Sequence, residues 1–263
     1  MWCVCCLLGY YCYFEWGIDM RNFKVIVSYN GTNFNGYQKQ NNLRSVQGEI
    51  EKVLKQIHHY EVKSFGAGRT DKGVHALGQV FNFETELNMG VKEYEKAFNS
   101  LLPNDIYVKS VEEVDENFHS RYSSKGKEYH YLINIGKYNV LEKDYVLQFN
   151  RYLDVDKMIK ASKLFLGEHD FRNFCASEEE KVKDYIRVIN SIEITKEQDK
   201  ILFVFKGNGF LRYMIRMIVG ILVEIGKGRK DESFIKERLD SDKLNRSNYK
   251  VDSCGLYLVK VNY

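Results

Sequence analysis

The sequence holds a single proline, Pro103, among 263 residues. That leaves little rigid linker between domains. Net charge is also scarce. Lys and Arg total 39 against 36 Asp and Glu, a balance of +3. Whole-chain charge therefore does not mark a nucleic-acid binder, and any basic surface has to come from local clustering. The apolar run from Trp2 to Phe14 falls short of the roughly 20 residues of a membrane span. Four of the 6 cysteines, Cys3, Cys5, Cys6 and Cys12, crowd the start, while Cys175 and Cys254 stand alone. Their spacing matches no zinc pattern, no histidine stands near them, and the uneven placement argues against a disulfide framework. Reduced thiols in a cytoplasmic protein are the expectation.

The remaining composition is that of a folded chain. Hydrophobic residues make up 44% and aromatics 14%, which excludes a disordered polymer. The opening, MWCVCCLLGYYCYFEWGID, carries no Lys or Arg ahead of Arg21, unlike the basic start of a signal peptide. Met20 stands directly before a clean strand pattern. Residues 1–19 are therefore expected to be an extension outside the fold, non-native or disordered.

Hydrophobic periodicity orders the rest. In the first half, FKVIVSY (23–29) alternates as a strand. Residues 45–59 repeat at helical spacing behind Ser45, a residue suited to an N-cap. A short strand is expected over 61–66 and another over 76–84. A second helix follows from Val91 and stops before Pro103. Residues 105–114 read as a strand. The second half repeats the order. EYHYLINI (128–135) is a strand and Asp154 opens a helix to Leu166. Strands cover 185–195 and 201–206, an apolar helix covers 209–225, and a smaller helix covers 231–240. GLYLVKVN (255–262) closes the chain as a strand. The expected fold is α+β. It comprises two tandem ferredoxin-like β-α-β-β-α-β units, 20–122 and 123–263, whose antiparallel sheets flank a central cleft.

One stretch carries the chemistry: GAGRTDKGVHALGQVFNF, residues 66–83. It fails both phosphate-loop patterns, since Asp71 stands where a dinucleotide fingerprint needs glycine, and the G-x-x-x-x-G-K-[ST] spacing is missing. Asp71 and His75 are four apart, a pairing for metal only on a helix, which Gly73 disfavours. Two readings stay open on the residues alone. One is a plain hairpin turn with a surface ion pair. The other is a catalytic carboxylate, kept ionised by a nearby arginine, with glycines admitting a bulky substrate.

Six further segments stand in order around this loop. They are YNGTNFNGYQKQ (29–40), SVQGEI (45–50), NSLLPNDI (99–106), FHSRYSSKGKEYHY (118–131), GEHDFRNF (167–174) and GFLRYMIRMIVG (209–220). Together with G-x-G-R-T-D-x-G-V-H-A they resemble the tRNA pseudouridine synthase A family across residues 20–263. The resemblance implies a cofactor-free isomerisation of uridine to pseudouridine at positions 38, 39 and 40 of the tRNA anticodon arm, by a homodimer. It implies Asp71 as catalytic residue, Arg216 as its partner, and Tyr129 as the ring that meets the target base. Arg69, Lys72, His75, Arg121 and Lys127 become the expected substrate contacts, and no metal is implied. Apolar neighbours of Arg216 make an unpaired charge there costly, which a partner such as Asp71 would relieve. A rival reading is a tRNA-binding protein or RNA chaperone without catalysis, but Asp71, Tyr129 and Arg216 are all present. A deaminase would need an H-x-E and P-C-x-x-C signature, and none is found. The family's proline-rich turn before G-L-Y-L is replaced by Asp252, Ser253 and Cys254, so a different local loop shape is expected there.

Overall fold

The computed structural model describes residues 20–176, 184–241 and 243–263. The extension expected at 1–19 lies outside the described residues. In chain order the elements are β1 (Arg21–Tyr29), α1 (Val46–His58), β2 (Phe65–Gly66), β3 (His75–Thr85), α2 (Val91–Leu101), β4 (Ile106–Val114), β5 (Gly126–Asn134), β6 (Leu147–Gln148), α3 (Val155–Ser162), β7 (Gly167–Asp170), β8 (Ile186–Glu197), β9 (Lys200–Gly207), α4 (Met214–Gly226), α5 (Glu232–Leu239) and β10 (Leu256–Asn262). The architecture is mixed α+β around a central sheet.

The strands form one sheet, where two were expected. Its order is β4-β1-β3-β10-β5-β9-β8-β7, with β2 on β3 and β6 on β5. The two halves join where β3 and β10 pair in parallel at Tyr257–His75 and Leu258–Ala76. All pairs on either side of this seam are antiparallel along the main path. The seam starts at His75, so the loop that carries Asp71 ends where the halves meet.

Period-two alternation builds the core. Phe23, Val25, Val27 and Tyr29 of β1 are buried, as are Tyr129, Tyr131 and Ile133 of β5. The helices close over this face. Val46, Ile50, Val53 and Leu54 of α1 and Tyr94 and Phe98 of α2 are buried, and the ring of Tyr94 lies 4.9 Å from that of Phe23. Ser45 caps α1 by accepting from the amide of Gly48 at 3.3 Å, which satisfies one of its free donors.

The differences from expectation have local causes. The strand expected over 61–66 shrinks to two residues. The helix opened by Asp154 ends at Ser162 and tightens into a single 3-10 turn over Lys163–Phe165. The apolar helix starts at Met214 instead of 209, because Tyr213 takes φ 63° in the left-handed region and breaks the helical path. Once begun, α4 is buried along its whole length. No helix among the described residues is long and apolar enough to cross a membrane.

Candidate active site

The loop from Ala67 to Val74 is tied down along its length. Ala67 donates its amide to Val80 at 2.8 Å. The carbonyl of Ala67 accepts from Lys127 Nζ at 2.9 Å, and that of Gly68 from Gln79 Nε2 at 3.0 Å. The Thr70 hydroxyl meets Tyr29 Oη at 2.8 Å, and the Thr70 carbonyl accepts from the Tyr37 amide at 3.1 Å. Asp71 closes a turn by accepting the Val74 amide at 3.1 Å. Gly73 takes φ +78°, and a Cβ there would lie 2.5 Å from the Ser253 hydroxyl. The left-handed conformation favours glycine at that point, and a side chain there would also have to turn the Ser253 hydroxyl aside.

Asp71 emerges from this frame against α4. Its Oδ2 lies 3.8 Å from Nη1 of Arg216, with side chains 20% and 11% exposed. The Nε of Arg216 donates to the Val251 carbonyl at 2.9 Å. Its guanidinium also lies 5.1 Å from the centre of the Tyr213 ring. The same ring carries Arg212 at 4.7 Å and Lys250 at 4.3 Å. Cations on an aromatic face are attracted by its quadrupole, so Tyr213 gathers three positive charges beside one carboxylate. Burial raises the Asp71 carboxyl above the usual aspartate range, and Arg216, Arg212 and Lys250 oppose that rise without cancelling it. The arginine was expected to hold this acid below its ordinary value; desolvation wins instead.

Tyr129 projects from β5 with 8% of its surface exposed. Its ring packs edge-on against Phe210 at 5.3 Å. Burial, with the nearby Tyr29 and Asp71, pushes its phenol up, so it stays protonated at neutral pH. A cavity of about 430 Å³ opens beside Arg216, lined by Thr32, Lys72, Gly73, Asp144, Tyr213, Arg216, Lys250, Asp252, Ser253 and Cys254, but not by Asp71 or Tyr129. Its walls thus include the chain neighbour of Asp71 and its ion partner. The turn that replaces the expected prolines is held by side chain and backbone. Asp252 Oδ1 accepts from the Cys254 amide at 3.1 Å, and the Asp252 carbonyl accepts from Tyr131 Oη at 2.7 Å.

The other expected contacts divide into two groups. Arg69, Lys72 and Arg121 are exposed, and Arg121 leans over the ring of Tyr122 at 5.7 Å. His75 is 2% exposed. Its Nδ1 accepts from the Gly31 amide at 3.1 Å and its Nε2 donates to the Asp144 carbonyl at 2.9 Å. Tyr257 and Tyr145 stack on it at 4.8 and 5.5 Å. The structure therefore does not bring its ring to the cavity. Lys127 turns its ammonium to the loop backbone, and burial lowers its pKa to about 8, helped by Arg121 and Arg187. Tyr213, Lys250 and Gln79 were not anticipated. Nothing in their spacing points to Asp71, since Lys250 lies far along the chain and Tyr213 sits in a run that reads as helix. Among the described residues no three His, Cys, Asp or Glu side chains gather as a metal ion would need.

Fold and site together define a mixed α+β protein with a half-buried carboxylate set among cations, beside a cavity that its ion partner Arg216 lines. Comparison with known proteins places it further. The family model described as tRNA pseudouridine synthase matches residues 25–123 and 161–263. The chain is 42% identical over 246 residues to tRNA pseudouridine synthase A 1 of Bacillus cereus, covering 93% of this chain and 99% of that one. It is 41% identical over 245 residues to tRNA pseudouridine synthase A of Anoxybacillus flavithermus, covering 93% and 99%. It is 43% identical over 247 residues to tRNA pseudouridine synthase A of Dictyoglomus thermophilum, covering 93% and 100%. The chain belongs to the tRNA pseudouridine synthase family.

Proposed function

We propose that this chain isomerises uridine to pseudouridine at positions 38, 39 and 40 of the tRNA anticodon arm, with Asp71 as the catalytic carboxylate. The observation that carries the reading is the 3.8 Å approach of Arg216 to Asp71 inside the G-x-G-R-T-D loop. In the reaction the N1–C1′ glycosidic bond breaks and C5 of the uracil bonds to the same sugar carbon. The C5 proton is released and N1 takes one up, so the product is an isomer and no co-reactant is consumed. Asp71 supplies the nucleophile or base, and Arg216 holds it in place. Tyr129 meets the face of the base, as aromatic side chains do for splayed-out nucleotides. Its protonated phenol is a weak base, so stacking suits it better than removal of the C5 proton. Lys72, which lines the cavity, and the exposed Arg69 and Arg121 take backbone phosphates.

The strand order supports a division into 20–122 and 123–263. The first unit runs β4-β1-β3 with β2 beyond, and the second runs β10-β5-β9-β8. With the short β6 and β7 set aside, both follow the order fourth-first-third-second, that of a ferredoxin-like sheet. A homodimer acting in the cytoplasm completes the proposal.

The test uses tRNA transcript tritiated at uracil C5, with wild type and Asp71→Asn. Tritium release by the wild type alone supports the reading. No release from either, with tRNA still bound, favours binding without catalysis. Equal release from both removes Asp71 from its role.

A further inference from the structure

Lys127 precedes Tyr129 by two residues on β5, so both side chains leave the same face of the strand. Its Nζ donates to the Ala67 carbonyl at 2.9 Å. A Cβ built on Gly68 would lie 3.0 Å from that Nζ, so the ammonium is pressed onto the loop. Gln79 secures the next carbonyl, that of Gly68, at 3.0 Å. Its own Oε1 is occupied by the Val80 amide at 3.1 Å. Consecutive carbonyls just ahead of Asp71 are thus each held by a side chain, one from β5 and one from β3. These strands belong to opposite halves of the sheet.

A lysine that grips phosphate is normally an exposed point charge on a flexible stem. Arg69, Lys72 and Arg121 have that exposure here. Lys127 does not. Among the described residues no carboxylate stands within ion-pair distance of it, and its neighbours Arg121 and Arg187 are cations. Burying an ammonium in this setting costs free energy, which a hydrogen bond to a carbonyl only partly offsets. A site that tolerates this cost uses the lysine for something a cheaper residue does not provide.

We propose that Lys127 is a positioning residue, which fixes the loop of Asp71 through the Ala67 carbonyl and ties it across the seam to the strand of Tyr129, and is not a phosphate contact. This deepens the synthase reading and rests on it for the catalytic consequence. The geometric consequence stands apart from it.

The experiment compares the full-length chain with Lys127→Met, which keeps length but loses the donors, and Lys127→Arg, which keeps a donor. Tritium release is measured across tRNA concentration, tRNA binding across salt, and amide hydrogen exchange over residues 66–75. The expected result for Lys127→Met is a fall in kcat of about 10- to 100-fold, the scale of a misplaced catalytic group. KM and the salt slope should stay within error, and the loop amides should exchange at least about tenfold faster. Lys127→Arg should recover both kcat and protection in large part. A phosphate contact predicts the opposite pattern: weaker binding, a salt slope reduced by about one, and unchanged exchange. That pattern overturns the proposal, as does wild-type exchange in Lys127→Met. If Lys127→Met does not fold, exchange and kcat in Lys127→Arg decide. Wild-type loop protection without wild-type phosphate affinity in that variant also overturns it. If the wild type itself releases no tritium, the synthase reading fails, while hydrogen exchange still decides whether Lys127 holds the loop.

Discussion

Arg216 approaches Asp71 with Nη1, at 3.8 Å, while its Nε is committed to the Val251 carbonyl at 2.9 Å. The guanidinium is therefore oriented by the backbone and presents its remaining edge to the acid. A lysine has no second donor edge to share between two such partners. Arg216→Lys should lower kcat about 10- to 100-fold with little change in KM.

Replacing Arg216 by Gln should also change the pH dependence. Burial already raises the Asp71 carboxyl, and Arg216 is the largest influence opposing it. Without that cation the acid moves further up. Activity that requires ionised Asp71 is lost as pH falls through its pKa, so the acid limb of the kcat profile should shift to higher pH. The measurement is tritium release against pH for both proteins. Superimposable acid limbs would show that Arg216 does not set the charge state of Asp71.

Much of this site was legible because its signals are local. The glycines, Arg69 and Asp71 fall within a few residues, and Tyr129 lies in a strand whose alternation is plain. The direction of the Asp71 shift was not legible, because burial depends on how the loop packs against elements distant in sequence such as α4. Two short strands, β6 and β7, were missed, since two and four residues hold too little period to register. Tyr213 hid the start of α4, because a left-handed tyrosine inside an apolar run leaves no compositional mark. The single sheet was missed because only two residue pairs make the β3–β10 seam. No local pattern reports so short a long-range contact.

Tyr37 offers a test of packing beneath the loop. It is 2% exposed, and its hydroxyl has no hydrogen-bond partner among the described residues. A buried hydroxyl left unsatisfied costs about 1–3 kcal/mol. Tyr37→Phe removes the hydroxyl and keeps the ring, so stability should hold or rise by about 1 kcal/mol. Thermal unfolding measures this. A clear loss of stability would reveal a partner for that hydroxyl, such as a bound water.

Gly36 should be intolerant of substitution for a reason that reaches Asp71. It takes φ +92°, and a Cβ there would lie 2.7 Å from the Thr70 carbonyl. Gly36→Ala therefore adds backbone strain, about 1–3 kcal/mol, and pushes on the residue before Asp71. The expected outcome is a lower melting temperature together with a loss of kcat larger than that shown by an equally destabilised core variant such as Val53→Ala. Equal losses in the two would mean that Gly36 matters only for folding.

Stability should fall in mild acid, and the sign follows from two histidines. Burial lowers the pKa of both His58 and His75 below the ordinary value of 6.5. His75 must be neutral to accept the Gly31 amide at Nδ1. The unfolded chain binds protons at these rings before the folded chain does. Their contribution to stability is therefore complete above the unfolded pKa and is lost as pH falls through the folded one. The melting temperature should be level above about pH 7.5 and decline between about pH 6.5 and 5, before carboxylates with lowered pKa values begin to titrate. His58→Gln, which cannot titrate, should flatten part of that decline. A melting temperature that stays level down to about pH 5 would mean that both rings take up protons in the fold as readily as in the unfolded chain.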